Sequence, residues 1–167
     1  MSTTSSAPGA AVVEPRADEN GRDPIATFYL RADALYRCAT EACRQHERLA
    51  RLVQIEASGA EQRAAGTIVT ICDEALAELS ASYERAAQRA HPDQDAACWH
   101  AANGLWLAAR EYARRQLTSS RAGRGMSEQR DLARLTELAL DYDLEASALL
   151  LLKQATEAYR KARPQVA

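Results

Sequence analysis

The stretch DPIATFYLRADALYRCATEACRQHERLARLV, residues 23–53, decides the fold. Asp23 offers a side-chain acceptor to the first free amides of a helix, and Pro24 suits the first helical position because its missing N–H would be unpaired there anyway. From that start Ile25, Phe28, Ala32, Leu35, Ala39, Ala42, His46, Leu49 and Val53 recur at three- and four-residue spacing. That is one apolar seam held over four heptads. Tyr29, Tyr36, Cys43 and Ala50 widen it on one flank. The first helix is therefore expected over 24–57, closed by Gly59 in the left-handed conformation.

The same pattern continues down the chain. Ser58 and Glu61 fit a capping box for a second helix over 60–90, with Ala65, Ile68, Cys72, Ala75, Leu79 and Ala86 as its seam and Val69, Leu76 and Tyr83 as a flank. His91 precedes Pro92, which stops it. Asp93 and Asp95 open a third helix over 93–118, where negative charge suits the positive end of the helix dipole. Ser119 to Met126 is expected as a basic loop. Ser127, Glu128 and Asp131 open a fourth helix over 127–163 with a stripe of Leu132, Leu135, Ala139, Tyr142, Ala146 and Leu149. The run Leu149–Leu152 is apolar on every side, so the seam is expected to shift there. Residues 1–22 have no period and read as a disordered tail.

Composition agrees. Of 167 residues, 36 are Ala, 18 Leu and 19 Arg, against 7 Gly and 5 Pro, which favours helices over sheet. The expectation is an all-α protein: an antiparallel up-down-up-down four-helix bundle of long helices spanning 23–164. Net charge is -2, so bulk charge names no partner. Neither a secretory apolar run nor a membrane-length one is found, so the expected setting is cytoplasmic. Cys38, Cys43, Cys72 and Cys98 all lie within helices and are expected as reduced, mostly buried thiols.

A bundle core invites a metal. Di-iron chemistry needs Glu three residues before His, but Cys43, Gln88 and Ala97 precede His46, His91 and His100 by three. Cys43 and His46 share a face, and facing residues of the first two helices sum to about 117, so Cys72 is expected near His46. A Cys43, His46, Cys72 set is thus one alternative for a metal or small ligand; zinc would need a fourth ligand or an open position. At that height the other helices offer roughly Glu111, Tyr112 and Leu135. The bland reading is a core histidine hydrogen-bonded to a neighbour. No resident cofactor is expected.

Catalytic signatures are lacking. Cys98 and His100 lie about 200° apart on one helix and cannot form a dyad. Gly123-Arg124-Gly125 has no preceding strand and no P-loop lysine. The third helix has a buried face centred on Cys98, Ala102, Leu105, Ala109 and Tyr112, with Trp99 and Trp106 at its margin. Leu107 sits in the polar face beside Arg110 and Arg114. Trp and Arg are enriched at interface hot spots, so Trp99, Trp106, Leu107, Arg110 and Arg114 are the candidate partner surface, balanced against a plain role in sealing the groove. Arg110, Arg114, Arg115, Arg121, Arg124 and Arg130 gather toward one end and suggest an anion or nucleic-acid alternative. Interspersed Glu111, Glu128 and Asp131 weigh against nucleic acid. The leading expectation is a non-catalytic bundle acting through protein–protein contact, as a homo-oligomer or with another protein.

Overall fold

The computed structural model describes residues 23–93, 96–124 and 132–163. They form four α-helices: α1 (Pro24–Gln54), α2 (Gly59–Ala90), α3 (Ala97–Arg124) and α4 (Leu132–Ala162). There is no strand among the described residues. Asp23 caps α1, its carboxylate accepting from the Ile25 amide at 3.0 Å. Ser58 and Glu61 form the capping box of α2: the Ser58 hydroxyl accepts from the Glu61 amide at 3.3 Å, and the Glu61 carboxylate accepts from the Ser58 amide at 3.1 Å.

That box changes how α1 ends. Because Ser58 caps α2, Gly59 is already its first helical residue, and the chain must reverse earlier than expected. α1 stops at Gln54, and Glu56 takes the left-handed turn at φ 52°. The Glu56 amide donates to Val53 O at 3.1 Å and the Ala57 amide to Leu52 O at 2.9 Å, the double closure of a Schellman motif. An exposed glutamate there carries a steric penalty that glycine lacks. Glu56→Gly should therefore stabilise the protein by about 0.5–1 kcal/mol, read as a raised melting temperature. An unchanged or lower value would show that Glu56 makes a compensating contact.

Two further boundaries differ. α3 begins at Ala97, with Asp93 ahead of it, and continues through Ser119 to Arg124, where a loop was expected. The physical reason is tertiary: Ser119 is fully buried, and its hydroxyl is shared between Gln116 O and the Glu145 carboxylate of α4. Backbone anchored in this way stays helical. α4 is described from Leu132; Asp95, Ser127, Glu128 and Asp131 lie outside the described residues, as does the expected tail over 1–22.

Facing pairs run in opposite senses along α1 and α2 (Phe28 with Tyr83, His46 with Asp73). They do so along α1 and α4 (Asp33 with Arg163, Glu47 with Lys153), and along α2 and α3 (Asp73 with Tyr112, Tyr83 with Trp106). The most extensive packing joins α1 to α2 and α3 to α4. Across the middle, α1 also meets α3, whereas α2 and α4 do not touch among the described residues. The section is a flattened rhombus with α1 and α3 on its short diagonal. Small residues explain this. Ala32, Ala39 and Ala42 of α1 and Ala102 and Ala109 of α3 are fully buried and permit close approach. Phe28, Leu35, Leu76, Leu105, Leu152, Tyr83, Tyr112 and Tyr159 fill the remaining core.

The seams of α1 and α3 fall where the sequence puts them, apart from the ends, where Ile25 and Val53 are exposed. The seams of α2 and α4 are turned. On α2 the buried line is Ala65, Val69, Asp73, Leu76, Ser80, Tyr83, Ala86 and Ala90, so the expected flank is the centre and Ile68 is exposed. On α4 the buried line is Ala148, Leu152, Thr156 and Tyr159, while Ala139, Tyr142 and Ala146 of the expected stripe point to solvent. Tyr159 packs on Tyr36 with ring centroids 5.5 Å apart, and that bulky contact selects one of the two registers the Leu149–Leu152 run allows.

Candidate functional site

Two features rise above ordinary packing. The first is polar and internal. His46 of α1, Asp73 of α2 and Tyr112 of α3 meet at one point. The His46 Nε2 lies 3.1 and 3.3 Å from the two Asp73 carboxylate oxygens and 2.6 Å from the Tyr112 hydroxyl. The Tyr112 hydroxyl lies 3.2 Å from both carboxylate oxygens. A carboxylate has acceptors only, so the arrangement that satisfies it has both Nε2–H and the phenol donating to Asp73. Tyr112 is wholly buried, Asp73 is 6% exposed and the His46 side chain 18%. Burial, then the charge of Asp73, drive the Tyr112 phenol far above its ordinary range, so it stays a donor. Glu145 adds a further push in the same direction and itself accepts from Ser119, which ties α4 to the cluster.

Cys72 is not the residue His46 meets. Counting along the helices gives height, but angle decides contact, and Asp73 is turned 100° from Cys72 into the interior. Cys72 instead offers its carbonyl to the Cys38 thiol at 3.8 Å. Cys43 is buried, with Glu47, Lys153 and Asp73 as its charged neighbours. Among the described residues no three His, Cys, Asp or Glu side chains come together to hold a metal ion. The polar partner of His46 was missed because an aspartate inside an apolar pattern reads as a solvated residue. The signal was present: Val69, Leu76, Tyr83 and Ala90 repeat every seven residues, and Asp73 and Ser80 occupy the positions between.

The thiols are not activated. Burial pushes Cys38 and Cys43 up to about 11, Cys72 adding to the first and Glu47 to the second. Burial also raises Cys72 and Cys98. Protonated thiols are poor nucleophiles and poor ligands at neutral pH. What the cluster can do is hold three helices in register through groups that only one alignment satisfies.

The third-helix surface divides. Trp99 and Trp106 pack against the core from its margin, Trp106 6.1 Å from Tyr83 and beneath the Arg110 guanidinium at 5.5 Å. Leu107 stays exposed. Arg114 and Arg115 both donate to Glu111, whose carboxyl they hold down at about 2, so two of the cations at this end are already engaged. The side chains of Arg121 and Arg124 and the whole of Arg130 lie outside the description.

The second feature is apolar and external. Ala139, Tyr142, Ala146 and Leu150 follow one another along the outer face of α4, with Tyr142 52% and Leu150 57% exposed. This is the expected core stripe of the fourth helix, left uncovered because the seam is turned. Leu140 and Leu151 flank it, also exposed. No helix among the described residues is long and apolar enough to cross a membrane. Compared with protein-family models, curated proteins and solved structures, the chain matches none.

Proposed function

We propose that this chain is a non-catalytic helical bundle that acts through protein–protein contact, by associating with itself. The observation that supports it is the uncovered stripe on α4. A bundle that needed only to bury its own helices would have no use for a second apolar line of helical period on the outside. The four unpaired cysteines fit a reducing, cytoplasmic setting. The third-helix residues Leu107 and Arg110 form a smaller exposed surface available to another protein.

The test is solution mass. Light scattering at tens of micromolar should give a defined multiple of the 18.3 kDa chain. Dilution should then return it to the monomer by mass action. A strict monomer at that concentration would overturn self-association.

A further inference from the structure

We infer that two copies of the chain pair along α4, antiparallel, about a two-fold axis at Ala146. This rests on the self-association just proposed and specifies its geometry. The helix runs from Leu132 to Ala162, so Ala146 stands close to its midpoint. A two-fold interface uses the same patch on both subunits, and in an antiparallel pair residues equally far from the axis on either side face each other. With the axis at Ala146, the two alanines meet, and each Tyr142 lies on the partner copy's Leu150. The small residue sits where the backbones must approach and the bulky ones sit one turn away on either side, which is how knobs and gaps fit together.

Charge selects both the partner and the direction. The first half of α4 holds Glu137, Asp141, Asp143 and Glu145 against a single Arg134. The second half holds Lys153, Arg160 and Lys161 against a single Glu157. Antiparallel pairing of two copies sets the acidic half on the basic half; parallel pairing would set like on like. Several of these charges also have partners within the chain: Lys153 with Glu47, Arg160 with Glu157, and Glu145 with Ser119. Asp143 is exposed beside the stripe and is the acid placed to reach the second copy's Lys153. The opposed helix dipoles add to the same preference.

The experiment uses the full chain. Ala146→Cys should give, under mild oxidation, a covalent dimer at twice the chain mass whose cross-linked peptide contains position 146 from both copies. Tyr142→Asp and Leu150→Glu should each raise the dimer dissociation constant at least tenfold, and Asp143→Lys by a smaller factor that shrinks as salt is added. These side chains are exposed, so the helical circular dichroism should not change. A dimer that survives Tyr142→Asp and does not cross-link through position 146 overturns this geometry and leaves self-association standing. A monomer overturns both. If position 146 in that monomer resists a maleimide, another segment of the same chain covers the stripe.

Discussion

Replacing His46 by leucine should lower the unfolding free energy by about 3–5 kcal/mol. The cost comes less from the lost imidazole than from what it leaves behind. Asp73 is 6% exposed, and once His46 is gone its carboxylate keeps the Tyr112 hydroxyl as its remaining partner in the cluster. A buried charge without its partners must keep its desolvation penalty or take up a proton, and either lowers stability. Tyr112→Phe should cost less, about 1–2 kcal/mol, because the ring still fills the core and the His46–Asp73 contact at 3.1 Å remains. Joining His46→Leu to Asp73→Leu should recover part of the loss, since no charge is then stranded. Urea titrations of the three variants supply the numbers, and the coupling between positions 46 and 73 follows from the cycle. If His46→Leu costs no more than Tyr112→Phe, then Asp73 has access to water or to a second partner and the cluster does not hold the helices.

The second large effect is alkaline unfolding. Five buried acids keep their protons more tightly in the folded chain than free in solution. Cys38 and Cys43 are pushed up from 9.0 to about 11. The phenols of Tyr83, Tyr112 and Tyr159 are raised further, each chiefly by burial. For such groups the stabilisation is complete below the unfolded-state value and disappears as pH rises through the folded-state one. The window therefore opens near pH 9 for the thiols and near pH 10 for the phenols. At about 1.4 kcal/mol per unit, each thiol removes on the order of 2 kcal/mol by pH 11, and the three phenols add to it. Small domains have only about 5–15 kcal/mol in total. Circular dichroism should thus hold steady to pH 9 and collapse cooperatively between there and pH 12, with tyrosinate absorbance at 295 nm rising in step with the loss of helix. Tyrosinate absorbance that rises while helix is retained would mean the phenols titrate in place, and that their burial is breached by local opening.

Much of the fold was legible because helices declare themselves locally. Asp23-Pro24, the Ser58–Glu61 box and His91-Pro92 each act through atoms within a few residues, and each lies where it was read. The buried face of α3, from Ala102 through Leu105 and Ala109 to Tyr112, was legible for the same reason: one apolar period with no rival. Tyr112 was even placed at the height of His46, since counting along antiparallel helices measures distance along the axis well. Its role was not legible. Which angular neighbour faces His46 depends on the rotation of α2 about its own axis, and that is set by how Leu76 and Tyr83 pack on α1 and α3.

The limits follow the same division. By itself the sequence determined four long helices, their caps, and an alanine-rich α1 and α3 able to approach closely. Those features depend on hydrogen bonds and periods within one segment. Only the tertiary structure decided the continuation of α3 through Ser119, the rotation of α2 that brings Asp73 inside, and the register of α4 that turns Tyr142 and Ala146 outward. In each case two local arrangements were close in energy, and a contact with another helix chose between them: Ser119 with Glu145, Asp73 with His46 and Tyr112, Tyr159 with Tyr36.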